Sequence, residues 1–225
     1  MSAIKKHEAG VPDHKPAALG FWEKNNKSIL VAFSAVILIA GGYFIYKYWF
    51  KLPENQKAVE AIAKAQQYFA ADSLQKALNG DGQSAGFLKV ISKYGSTPSG
   101  NLAKLYAGET YLHLGDFNNA IKYLNDFNAN GSLPTQAFVY GLLGDAYSEL
   151  KKNDEAINNY KKAASTFDKN QAMSSEYLYR AANLYELMGK NKEAIDLYTE
   201  LKHKFPQTER GFSADKYLGK LGATE

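Results

Sequence analysis

The stretch YAGETYLHLGDFNNAIKYL, residues 106–124, returns twice further along the chain, as GLLGDAYSELKKNDEAINNY (141–160) and RAANLYELMGKNKEAIDLY (180–198). In each copy a tyrosine (Tyr111, Tyr147, Tyr185) stands nine residues before an alanine (Ala120, Ala156, Ala194), and a large residue follows four later (Leu124, Tyr160, Tyr198). The tyrosines lie 36 and 38 residues apart. A period of that length marks stacked supersecondary units, each burying its apolar face against the next. Gly108, Gly144 and Ala182 are small where a first helix must approach its partner, and the tyrosines supply bulk between them. Gly115 and Gly189 suit left-handed helix ends, Asp116 and Asn153 suit the starts of second helices, and Pro206 stops the last one. The middle copy carries Lys151 at the turn-glycine position.

This order and spacing resemble the tetratricopeptide repeat (TPR), a helix-turn-helix unit of about 34 residues, with two or four residues added between units. The resemblance implies an all-α solenoid. A fainter unit precedes the three copies: Tyr68 and Ala77 keep the nine-residue spacing, but NGDGQSA (79–85) interrupts its second helix. KYGSTPSGNLAKLYAG (93–108) also aligns without gaps to KFPQTERGFSADKYLG (204–219), so the array is expected to end on a lone first-type helix, residues 208–222, that caps the stack. The expected organisation is a linker with a degenerate first unit (51–100), three repeats (101–207), and a capping helix with its tail (208–225).

Upstream lies SILVAFSAVILIAGGYFIYKYW (28–49). From Ile29 to Tyr46 no residue is charged, and a helix of that length reaches about 27 Å, near the thickness of a bilayer's hydrocarbon. Phe21 and Trp22 before it, and Tyr43, Tyr46, Tyr48 and Trp49 at its far end, are the rings that prefer the headgroup layer. A transmembrane helix over 28–50 is expected, after a flexible leader over 1–27. Two other readings are open. Ala40, Gly41 and Gly42 would suit signal cleavage, although cleavage there would leave an aromatic, apolar N-terminus. A buried soluble helix would carry a polar stripe that this run lacks. Five lysines before the span stand against four just after it (Lys47, Lys51, Lys57, Lys64), so lysine counting does not orient the helix.

Residues 51–225 hold 21 Lys plus Arg and 20 Asp plus Glu, so they are nearly neutral, and half of the net charge of +4 comes from the leader. Such a balance speaks against nucleic acid as a partner. The absence of cysteine excludes disulfides, thiolate metal sites and thiol catalysis. His7 and His14 lie in the leader, and His113 and His203 have no metal-like or triad-like partner spacing. No phosphate-cradling glycine loop or nucleophile elbow occurs, and Asp81 in GDGQ reads as a turn residue. Neither an enzyme nor a cofactor is expected.

Repeats of this type work through the face built by their first helices, at positions two, five, nine and twelve of each unit. Those positions hold Leu102, Leu105, Glu109 and Leu112, then Phe138, Gly141, Asp145 and Ser148, then Glu176, Tyr179, Asn183 and Glu186. The protein-binding groove is therefore expected at Leu105, Glu109, Leu112, Phe138, Asp145, Tyr179, Asn183 and Glu186. Acidic and partly apolar, it suits an extended segment with basic and apolar side chains. The plainer alternative leaves these carboxylates solvated and the glycine and tyrosine as packing.

The leader GFWEKNNKSILV, the span ending in YKYW and the repeats after it together resemble the ancillary SecYEG translocon subunit family, over residues 20–222. Trp22, Lys24, Lys27, Tyr48 and Trp49 carry that likeness, and the ALNGDG insertion resembles its Bacteroidota members. The resemblance implies a single-pass protein of the bacterial inner membrane, with a cytoplasmic N-terminus and a periplasmic C-terminal domain. Its partners would be the Sec translocon and periplasmic chaperones or exported polypeptides. Two alternatives are a scaffold subunit of a cell-envelope assembly or division complex and a cytoplasm-facing enzyme or regulator.

Overall fold

The computed structural model describes residues 17–223 and divides into two units, residues 1–53 and 54–225. In the first unit, α1 (Ala17–Ile45) gives way to a six-residue π-helical turn, Tyr46–Lys51. Residues 1–16 of the leader lie outside the described residues, whereas 17–27 form the start of α1. The most apolar 18-residue window of this helix has a mean hydropathy of 2.3 and no buried residue. Leu30, Val31, Phe33, Val36, Ile37, Leu38 and Ile39 are each more than half exposed, so apolar side chains point outward on every side. By length and composition this helix could cross a membrane.

The second unit is helical throughout its described residues apart from turns and one isolated bridge, Gly80 to Ala85. Its helices are α2 (Leu52–Ala70, starting at the unit boundary), α3 (Leu74–Asn79), α4 (Phe87–Tyr94), α5 (Pro98–His113) and α6 (Phe117–Asp126). They continue as α7 (Leu133–Glu149), α8 (Asn153–Thr166), α9 (Gln171–Leu187), α10 (Asn191–Lys204), α11 (Glu209–Phe212) and α12 (Ala214–Lys220). Packing follows chain order, α5 on α6, α7 on α8 and α9 on α10, with each pair against the next.

The conserved spacing within each copy has a backbone cause. The carbonyls of Tyr68, Tyr111, Tyr147 and Tyr185 each accept the amide five residues later, from Ser73, Asp116, Lys152 and Lys190, at 2.8 to 2.9 Å. The intervening amides of Asp72, Gly115, Lys151 and Gly189 reach the carbonyl three residues back. These paired bonds form the Schellman end, which needs a left-handed residue, and φ at the four positions is 54°, 76°, 58° and 71°. The degenerate first unit thus turns the same corner as the other three. The motif also fixes the N-cap of the second helix five residues after the tyrosine. Asp116 fills that role, accepting from the Asn119 amide at 3.2 Å. In the next repeat the cap is Lys152, which makes no capping bond, and Asn153 starts the helix as expected.

The small residues before each tyrosine receive side chains from the second helix. A Cβ on Gly108 would lie 2.6 Å from Leu124, and one on Gly144 would lie 2.5 Å from the Tyr160 ring. In the first two copies the large residue four after the alanine therefore seats in the gap the glycine leaves, and Leu124, Tyr160 and Tyr198 are all nearly fully buried.

In the degenerate first repeat the second helix is divided. α3 ends at Gly80, whose φ of 86° reverses the chain, and α4 resumes at Phe87 after a loop. Asp81 organises that loop: its carboxylate accepts the Tyr68 hydroxyl at 2.6 Å and the amides of Gln83 and Ser84 at 3.0 and 2.6 Å. The aligned segments 93–108 and 204–219 build the same entry turn. Thr97 and Thr208 each accept an amide three residues on, from Gly100 and Gly211, and donate to the carbonyl three residues back. The two glycines are required by sterics, since a Cβ on either would come within 1.8 Å of the carbonyl oxygen of Tyr94 or Phe205. The cap expected as one helix is two, α11 and α12, meeting at Ser213.

Candidate functional site

The first helices α5, α7 and α9 carry the face at which the sequence places binding residues. A depression of about 490 Å³ is lined by Glu109, Leu112 and Phe117 of one repeat and by Leu142, Asp145 and Glu149 of the next. It brings together three of the expected residues, Glu109, Leu112 and Asp145, and His113 and Gly115 complete its wall. Glu109 is half-buried and has no ion-pair partner among the described residues. Burial raises its pKa, and His113 one turn on opposes the rise.

Other expected residues lie elsewhere. Leu105 packs half-buried against the cluster of Leu124, Val139 and Leu143. Phe138 is half-buried on α7 outside the depression. Gly141 is buried, because the Tyr177 ring of α9 fills the space its side chain would take, 2.1 Å from an added Cβ. That position is interhelical packing.

Toward the C-terminal end the carboxylates are already engaged. Asp145 accepts from the Tyr160 hydroxyl and from Arg180 of α9, both at 2.7 Å. Glu176 accepts from Arg180 at 2.9 Å and from Arg210 of α11 at 2.7 Å. Arg210 also lies 3.9 Å from the centre of the Tyr179 ring. Glu186 accepts from Lys220 of α12 and from the Tyr198 hydroxyl. Burial works against ionisation of Glu176, but the hydrogen bonds from Arg210 and Arg180 outweigh it and its pKa is lowered. The Lys220 hydrogen bond lowers that of Glu186 against its burial. Tyr179 forms a trio of mutually tilted rings with Tyr198 and Tyr217 at centroid distances of 5.0 to 6.2 Å, and Asn183 is half-buried on the same helix.

Arg180, Arg210 and Lys220 are the residues that pattern reading missed. Each pairs with an acid one repeat earlier, at separations of 35, 34 and 34 residues. An acid-to-base match at the repeat period was the available signal. Among the described residues no group of three metal-ligating side chains occurs.

The tetratricopeptide repeat-like domain matches residues 20–137, more than half of the chain. The chain belongs to this family. Tetratricopeptide repeats also match residues 139–170 and 176–208, so TPR sequence runs from the apolar helix almost to the cap. Among solved structures, the TPR unit resembles a MamA protein at 20% identity and TM-score 0.54, covering 76% of this chain and 84% of that one. A putative kinesin light chain with TPR-like repeats from Podosopora anserina is similar at 13% identity and TM-score 0.53, over 75% and 91% of the two chains. At these identities the likeness is one of fold. No curated protein matches the chain. TPR repeats make this chain a protein-interaction module, and no enzyme family is indicated.

Proposed function

We propose that the chain is a single-pass protein of the bacterial inner membrane, N-terminus in the cytoplasm and TPR unit in the periplasm, that attends the Sec translocon and contacts exported polypeptides or periplasmic chaperones. The observation that carries this reading is the extent of the family match: residues 20–137 take in the apolar helix and the first repeats together. The anchor is thus part of the same family unit as the repeats. The resemblance of Trp22, Lys24, Lys27, Tyr48 and Trp49 to the ancillary translocon family adds the compartment and the neighbour.

Tethering supplies the mechanism. A binding face held within a few nanometres of a channel exit meets emerging segments at a high effective concentration, so weak contacts to many clients suffice. The task needs neither catalysis nor an energy source. The test is crosslinking in intact membranes, followed by gentle solubilisation, capture of this chain and mass spectrometry, with a topology reporter fused after Glu225. Translocon subunits with a varied set of exported chains, and a reporter active in the periplasm, are expected. One stoichiometric envelope partner and no exported chains would replace the reading with a scaffold subunit, and a cytoplasmic reporter would end it.

A further inference from the structure

Across α5, α7, α9 and the cap, one equivalent position holds Glu109, Asp145, Asn183 and Lys220, the last following Gly219 as Glu109 follows Gly108. The face therefore runs from acid to base along the array. At its C-terminal end the cap supplies the bases: Arg210 is bound to Glu176 over the Tyr179 ring, and Lys220 is bound to Glu186. A carboxylate taking a guanidinium while an aromatic face packs on it is how this surface would hold a ligand's arginine. Here the chain's own cap occupies that place. At the other end, Glu109 and Glu149 border the apolar walls of Leu112, Phe117 and Leu142 with no cation paired to them among the described residues, while Asp145 in the same wall is held by Arg180.

From this contrast we infer that the cap closes the C-terminal half of the face with Arg210 and Lys220. The free half around Glu109 docks a short protein segment in which a lysine or arginine adjoins a large apolar residue. The inference rests on the reading of the chain as a receiver of exported polypeptides and assigns that role to one half of the array. The occupant follows from complementarity: a cation answers the unpaired carboxylates, and an apolar side chain fills the depression of about 490 Å³ between Leu112 and Leu142. An acidic segment would face the same carboxylates unfavourably.

The test uses the full chain in detergent with a photoreactive benzoylphenylalanine at Leu112 or, separately, at Asn183. The probe is an end-blocked eight-residue peptide containing two arginines beside leucine and phenylalanine, compared with its twin bearing glutamate for arginine. Labelling from position 112 at least five-fold above that from 183 is expected for the arginine peptide, with little from either position for the glutamate twin. Glu109→Gln with Glu149→Gln should cut labelling at 112 by at least five-fold. Arg210→Ala with Lys220→Ala, checked for an intact cooperative melt, should raise labelling at 183. Equal labelling at the two positions in the unaltered chain, or labelling at 112 indifferent to the glutamate changes, overturns the inference. Either result is compatible with recovery of exported chains from membranes. Peptide labelling as expected without such recovery would overturn the client reading instead.

Discussion

Glu109 sits on the free part of the face at some cost to the fold. Its pKa is raised by burial above the ordinary 4.5, with His113 opposing. Below 4.5 both folded and unfolded chains hold the proton. As pH rises past 4.5 the unfolded chain releases it first, so stability falls through that window and stays reduced at neutral pH. Glu109→Gln should therefore melt above the unaltered chain at pH 7, with the gap shrinking toward pH 4, while binding of a basic segment weakens. A melt at pH 7 that is unchanged or lower would contradict this origin of the shift. Left-handed turn residues give an independent check. Gly115 and Lys151 occupy equivalent Schellman positions at φ of 76° and 58°. An L side chain in that region costs about 1 kcal/mol. Gly115→Ala should lose about that much in denaturant unfolding, and Lys151→Gly should hold or gain stability, since a Cβ at Gly115 meets no atom within 4 Å and backbone strain alone is measured.

Helix α8 begins on Lys152 without a capping side chain, where α6 begins on Asp116 with one. Lys152→Asp would supply an acceptor for the first-turn amides and replace a positive charge at the positive end of the helix dipole, for a gain of about 1 kcal/mol read by chemical denaturation. No gain would mean that the turn after Lys151 differs from the one after Gly115. In the divided helix α3–α4, the Tyr68 hydrogen bond and the Ser84 and Gln83 amides hold the Asp81 pKa at about 2 against an ordinary 3.8. That contribution is present above 3.8 and is lost as pH falls toward 2. Exchange of the Ser84 amide should accelerate across that interval, and Asp81→Asn should accelerate it at neutral pH. The tyrosine-to-alanine spacing made the hairpins legible, because one backbone motif fixes the distance from Tyr68, Tyr111, Tyr147 or Tyr185 to the next helix. Asn153 does start the second helix, but sequence alone does not show that the cap before it is Lys152, since only the hydrogen-bond pattern separates a cap from a first helical residue. Gly141 looked like a face residue because periodicity gives direction and says nothing of the Tyr177 ring arriving from the next repeat. Arg180, Arg210 and Lys220 escaped notice because their acids lie a whole unit away.

The ion pairs from Asp145 through Arg180, Glu176 and Arg210 tie each repeat to the next, as expected of an array held by nearest-neighbour contacts. They are partly exposed, so their worth lies in orienting neighbours and filling charge more than in net stability. They also set what is left for a partner, since Asp145, Glu176 and Glu186 are answered within the chain, whereas Glu109 and Glu149 have no ion-pair partner among the described residues. The first unit adds the apolar helix, whose outward side chains find no protein partner among the described residues and whose end is ringed by Tyr46, Tyr48 and Trp49. In the proposed function, retention of that helix in the working protein joins a binding face to a membrane. Membranes washed with alkaline carbonate, followed by peptide mapping of the recovered chain, test this most directly. Recovery in the membrane pellet with peptides preceding Gly42 intact is the predicted result. A chain that starts after Gly42 and appears in the soluble fraction would contradict it.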